Sequence, residues 1–253
     1  MAERNVAARA LAAACLLLAG AARAGEDPLA AVRNALQQLG GSTPVKASLE
    51  RAVTSERKDR PLEAGRVKLD VLAGLSGISL QYPATLLEQI RAEKALTDPE
   101  KAKPITRTLE GFDAIDVAAL LNGATSLLSE IEGATLKSET TADYQGQTAR
   151  LLDLDLVVRT SKANSKWLKS ASSTMRLWIR PDGVPLAAET EFNFRAGILM
   201  FTFDGKDVET HAYSRVGDRL VAYRYTTRFD GDGLGESQHF WSETILKLGK
   251  QGA

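Results

Sequence analysis

Cysteine is nearly missing from this chain. The only one, Cys15, falls in an N-terminal stretch with the composition of a leader. A mature chain without it would hold no disulfide, no thiol nucleophile and no thiolate metal site. An excess of positive charge is missing too. The chain has 32 basic and 32 acidic side chains, and taking away Arg4, Arg9, Arg23 and Glu3 leaves 29 against 31. That balance excludes the electrostatic footprint of a nucleic-acid or anionic-lipid binder. The longest apolar run, Ala10 to Ala22, is about 13 residues, short of the roughly 20 that span a bilayer. The common enzyme signatures are absent as well: there is no Gly-x-Ser-x-Gly, phosphate loop, Gly-x-Gly-x-x-Gly or His-Glu-x-x-His.

The first 24 residues read as a secretory signal peptide. Arg4 and Arg9 form a basic start, Leu16, Leu17 and Leu18 centre the apolar run, and Ala22-Arg23-Ala24 is a small-x-small cleavage site before Gly25. Lipidation of Cys15 would call for a Leu-like residue three positions upstream, where Ala12 stands. With no Asn-x-Ser/Thr sequon in the chain, the expected destination is a bacterial periplasm, with residues 25–253 forming one domain.

Asp27-Pro28 opens a helix carrying Leu29, Val32, Ala35, Leu36 and Leu39, closed by Gly40-Gly41. Alternation predicts strands around Val45–Leu49, Val67–Val71 and Ile78–Tyr82, with a hairpin at Leu72 to Leu75. The period then changes to 3.6. A helix opens at Pro83 and carries Leu86, Leu87, Ile90 and Leu96. A polar loop follows from Thr97 to Pro104. A second helical block, Asp113 to Glu132, is either two helices or one bent at Asn122-Gly123.

From Ala134 onward the chain reads as strands. Turns are expected at Tyr144–Gln147, Pro181-Asp182-Gly183, Asp204-Gly205-Lys206 and Val216-Gly217-Asp218, with Ser161 to Ala171 a polar connection. The sum is an α+β fold: a large curved antiparallel sheet, an incomplete β-barrel of about 9–11 strands, because so wide a sheet curls or closes. The helical insertion, about residues 83–132, would lie on its concave face and leave an apolar cleft.

Two stretches and this element order resemble the bacterial outer-membrane lipoprotein carrier superfamily. Asp143 to Leu154 (DYQGQTARLLDL) is similar to its Gly-turn hairpin. Leu177 to Leu186 (LWIRPDGVPL) is similar to its strand-turn-strand with a Trp and a post-turn Pro. The resemblance implies a half-barrel that holds lipid or acyl chains under helical lids, with some members acting as envelope-stress sensors. The insertion looks longer here than in the carrier, and no functional residue is carried over.

Polar candidates are few. His211 and His239 share strand parity with aromatic and acidic neighbours and read as strand-surface residues. Asp230-Gly231-Asp232-Gly233 resembles the front of a calcium loop, but position twelve is Trp241 rather than Glu, so a flexible hairpin turn is expected. Glu189 and Glu191 point to one side, opposite Phe192 and Phe194, as on a solvated sheet face. The segment Ile198 to Phe203 is apolar on both faces.

The candidate cleft residues are Leu86, Leu87, Ile90, Leu120, Leu121, Leu127 and Leu128 on the helices, with Phe192, Phe194 and Met200 on the sheet. The leading expectation is a non-catalytic periplasmic carrier for a lipid, an acyl chain or an acylated lipoprotein, in transient contact with membranes and using no cofactor or metal. The alternative is an envelope protein-protein interaction or stress-sensing module on the same fold. A hydrolase acting on envelope material comes third.

Overall fold

The computed structural model describes residues 27–58, 62–98, 101–160, 166–198, 201–233 and 235–249. The leader with Cys15, and Met200 among the candidate cleft residues, lie outside them. The described part of the chain begins with helix α1 (Pro28–Gln38), where the Asp27 carboxylate accepts from the Leu29 amide at 3.0 Å and Pro28 takes the first turn. Strands β1 (Val45–Arg57), β2 (Glu63–Gly74) and β3 (Gly77–Gln81) follow. Four helices come next: α2 (Ala84–Lys94), α3 (Pro104–Leu109), α4 (Ala114–Leu121) and α5 (Gly123–Glu130). Seven strands complete the fold: β4 (Thr135–Tyr144), β5 (Gln147–Asp155), β6 (Leu168–Ile179), β7 (Pro185–Ile198), β8 (Phe201–Val216), β9 (Arg219–Gly233) and β10 (Glu236–Leu248).

The ten strands of the described residues form one antiparallel sheet in the order β3-β2-β1-β10-β9-β8-β7-β6-β5-β4. The first and last strands, β1 and β10, pair in its interior, with Leu49 opposite Leu246. Both edges, β3 and β4, are therefore consecutive in the chain. Only the helical insertion joins them, so it must run from one edge to the other across a face. That is the reason the helices cover the sheet, and the result is an open α+β half-barrel.

The covered part of this inner face is apolar. Leu49, Leu69, Val71, Leu152, Leu154, Met175, Leu177, Ile179 and Leu246 meet Leu36 of α1, Val117 and Leu121 of α4, and Leu127 of α5 in one cluster. Helix α3 lies on β2 at Gly65, where a Cβ would come 2.2 Å from the Pro104 carbonyl oxygen. The Asp113-to-Glu132 block is two helices, and Asp113 and Asp116 form a reciprocal capping box on α4.

Several sequence expectations need correction. The short helix α3 was not foreseen, because six residues carry too little periodicity to show it. Asp204-Gly205-Lys206 is not a turn: β8 runs straight through it, and Gly205 pairs with Phe194 and Gly231. Asp230 to Gly233 is not a flexible hairpin either but the end of β9, with Gly231 and Gly233 in the ladder. Glycine stands in these strands because neighbouring rings occupy the space a Cβ would need. At Gly205 a Cβ would lie 2.5 Å from the Phe194 ring, and at Gly231 2.6 Å from that of Phe203. The polar connection also ends sooner than expected, since β6 begins at Leu168.

Candidate functional site

The helices leave one part of the inner face open, toward the ends of β6, β7 and β8. A groove of about 680 Å³ lies there, walled by Trp167, Leu168, Phe192, Phe194, Phe201 and Phe203, with Thr160, Ala196, Gly197 and Thr202 between them. Strand alternation explains the wall. Phe192 and Phe194 are two apart on β7, Phe201 and Phe203 two apart on β8, and each pair shares a face. The rings of Phe192, Phe194 and Phe203 form a ladder with Phe229 of β9, with centroids 5.5 Å apart for Phe192–Phe194, 5.9 Å for Phe194–Phe203 and 6.4 Å for Phe203–Phe229. Phe201 and Trp167 remain exposed at the mouth.

The candidate cleft residues divide between this groove and the core. Phe192 and Phe194 line the groove. Leu120, Leu121 and Leu127 are buried in the central cluster, and Leu128 packs against it. Leu86 is buried beside Val67 and Leu69 of β2. Ile90 is half-buried and Leu87 exposed. The structure thus brings the two phenylalanines together with Trp167, Phe201 and Phe203, and places the helical leucines elsewhere.

Next to the groove is a smaller cavity of about 280 Å³, and Phe192 borders both. Its other walls include Val157, Arg159, Ser173, Thr190, Asp207 and Glu209. Asp207, Glu209 and His211 alternate along β8 and so face inward together. His211 stacks on Tyr225 of β9 at 4.6 Å and lies 5.9 Å from the Tyr213 ring. Glu130, in the last turn of α5, accepts a hydrogen bond from the Thr190 hydroxyl at 2.6 Å.

Burial dominates the electrostatics. It pushes the Glu209 carboxyl up to about 7, helped by the charges of Asp207 and Glu130 and opposed by a hydrogen bond with Tyr225. It raises Glu130 and Asp207 in the same direction. It pulls His211 down to about 4, so that imidazole is neutral at ordinary pH. Among the described residues, the Oδ1 of Asp207 and Nδ1 of His211 are shut off from solvent without a hydrogen-bond partner.

His211 is therefore not the strand-surface residue its parity with Tyr213 suggested. A polar alternation of Asp207, Glu209 and His211 on an otherwise apolar strand face was the signal for an inward polar patch. His239, by contrast, is exposed and lies 2.7 Å from Asp230, whose carboxylate raises its pKa.

A third feature fastens the insertion to the sheet. Arg51, buried on β1, donates from Nε to the Thr108 carbonyl at 3.0 Å and from Nη1 to the Thr244 hydroxyl at 2.9 Å. Its guanidinium also sits 4.4 Å from the centre of the Phe112 ring. Glu93 of α2 accepts from the Ile105 and Thr106 amides of α3 at 2.9 and 2.7 Å, tying those helices together. Among the described residues no group of three or more His, Cys, Asp and Glu side chains is arranged to hold a metal ion. No helix among them is long and apolar enough to cross a membrane.

No family model matches the chain, and no curated protein does. Among solved structures it is similar to a LolA superfamily protein, NE2245 from Nitrosomonas europaea. That likeness has 11% identity and a TM-score of 0.26, over 90% of this chain and 96% of that one. It is similar also to MucB in complex with MucA(peri), at 10% identity and a TM-score of 0.19, over 87% and 93%. The MucA/MucB complex of Pseudomonas aeruginosa is similar at 10% identity and a TM-score of 0.19, over 90% and 99%. These likenesses concern the fold alone, which stands on the strand order and helix packing of this chain itself.

Proposed function

We propose that this is a periplasmic, non-catalytic binding protein that shelters the apolar chain of a lipid, or of an acylated lipoprotein, in the aromatic groove. One observation carries the reading: five aromatic side chains, Trp167, Phe192, Phe194, Phe201 and Phe203, wall a single groove that the helices leave open. A strand face needing only core packing would have been covered, as the part carrying Leu152, Leu154, Met175 and Leu177 is. Each buried methylene is worth about 0.8 kcal/mol, so one acyl chain is a strong ligand for such a surface. Exposed Phe201 and Trp167 at the mouth suit brief contact with a membrane during loading.

A second reading has its own support. Strand β4 is a sheet edge, and most of its residues are exposed. Such an edge offers unpaired backbone groups to an extended segment of an envelope protein partner. Native mass spectrometry of the protein purified from a bacterial periplasm, followed by lipid extraction, separates the two. A stoichiometric lipid or acylated peptide supports the carrier. A bare mass that fatty acids and lipopeptides leave unchanged rejects it in favour of the edge-binding module.

A further inference from the structure

We infer that the groove's ligand is a lipophilic cation, an apolar chain ending in a protonated amine, with the chain on the Phe192, Phe194 and Phe203 rings and the ammonium against Asp207 and Glu209. The inference rests on the groove-binding reading and adds the chemistry of the head group.

Continuity is the first argument. Phe192 borders both the groove and the polar cavity, so a chain lying along the rings ends where Asp207 and Glu209 begin. Uncompensated charge is the second. Asp207 and Glu209 come from β8, and Glu130 comes from the C-terminal turn of α5, where the helix dipole already disfavours an anion.

Among the described residues, the cations around them are committed elsewhere. Arg159 borders the cavity but is paired with Glu132 at 2.9 Å. Arg51, from β1, lies near Tyr225 and is held by Thr108 and Thr244. Lys206 is on the other face of β8 and pairs with Glu191 at 2.8 Å. His211 is neutral. A third observation points to a missing donor: the Asp207 carboxyl accepts from the Val208 amide, but among the described residues its buried Oδ1 has no hydrogen-bond partner. An ammonium brings N–H donors and the opposite charge together. The aromatic faces beside it attract organic cations too.

A metal ion fits less well, because the carboxylates do not converge as ligands. A fatty-acid carboxylate would meet like charge. Glu209, held up at about 7 by burial and its acidic neighbours, would ionise as the cation arrives. Affinity for a permanently protonated amine should therefore rise with pH across that range.

The test is calorimetric titration of the full mature chain with decylammonium, decanol and decanoate, below their micellar concentrations, at pH 6 and pH 8. Decylammonium should bind about tenfold tighter than decanol, and decanoate weaker than both. Its affinity should rise several-fold from pH 6 to pH 8 while decanol's stays constant. Asp207→Asn and Glu209→Gln should each lower the ratio of ammonium affinity to decanol affinity. If decanol binds but the ammonium has no advantage, or decanoate is preferred, the head-group inference falls and groove binding stands. If none of the three binds, both fall. The wild-type series decides the question even if a variant fails to fold.

Discussion

Arg51 on β1 donates to the backbone carbonyl of Thr108, the next-to-last residue of α3, across a sequence gap of 57 residues. The contact is the point at which the helical insertion is pinned to the interior of the sheet. Its geometry depends on a planar guanidinium that reaches Thr108 and Thr244 together while resting on Phe112. Arg51→Ala should lower stability by about 1–3 kcal/mol in urea unfolding, the range for losing charged hydrogen bonds at a buried site. Arg51→Lys should recover less than half of that loss. Hydrogen exchange should quicken in residues 84–112 before it changes in the central strands; uniform quickening would mean that Arg51 serves the whole core.

Gly65 sets how close α3 comes to β2. A Cβ there would meet backbone, the Pro104 carbonyl oxygen at 2.2 Å, as well as the Thr108 hydroxyl at 2.3 Å. Backbone yields far less readily than the tip of a side chain. Gly65→Ala should therefore cost about 2 kcal/mol and displace α3, as overpacking does. A thermal unfolding midpoint equal to that of the wild type would show that the approach is looser than this.

Gly205 presents the opposite case. The atoms nearest its missing Cβ belong to the far end of the Phe194 ring. That ring is the tip of a side chain that lines the groove, so displacing it changes the groove's wall. Gly205→Ala should change stability by less than about 1 kcal/mol, since the strand gains from the lost flexibility of glycine. The cost should appear in binding. Decanol affinity, followed by Trp167 fluorescence, should drop several-fold.

Phe194→Ala removes a ring from the groove wall that also stacks near Phe192 and Phe203. Apolar ligands should lose about 1–3 kcal/mol of affinity, the worth of a buried aromatic contact. Leu87→Ala, on the exposed side of α2, should leave binding unchanged. Equal losses from both would move the ligand from the groove to the helices.

Glu209 and His211 oppose each other in the pH dependence of stability. The folded pKa of Glu209 is raised to about 7 from 4.5. Its contribution is greatest below 4.5 and is lost as pH climbs toward 7. The folded pKa of His211 is lowered to about 4 from 6.5, so its contribution is full above 6.5 and lost as pH falls toward 4. In wild type the two slopes largely cancel between pH 4.5 and 6.5. Denaturant midpoints of the variants should separate them. His211→Gln should leave stability falling by about 2–3 kcal/mol from pH 4.5 to 7, and Glu209→Gln should leave it rising by a similar amount from pH 4 to 6.5. Parallel profiles for the two variants would sink this account.

Much of the architecture was legible in the residues alone. Asp27-Pro28 marked the first helix, alternation at Val67–Val71 marked β2, and Pro181-Asp182-Gly183 marked the turn between β6 and β7. These signals are local, because caps, turns and alternation act within a few residues. Asp204-Gly205-Lys206 and Asp230 to Gly233 misled for the same reason. Their composition is that of turns, but rings from Phe194, Phe203 and Phe229 lie over the glycines and keep them in strands.

What the sequence by itself determined is the α+β class, the wide antiparallel sheet, the helical insertion and the apolar parity of Phe192 and Phe194. Tertiary structure alone decided which inward face is covered and which is open. Pairing β1 with β10 makes β3 and β4 the two edges, so the insertion must cross the sheet and bury Leu120, Leu121 and Leu127 as core. The same crossing leaves the far ends of β6 to β8 bare, where Phe192 joins the aromatic groove to Asp207 and Glu209. That junction depends on register between strands far apart in the chain, and no local pattern encodes it.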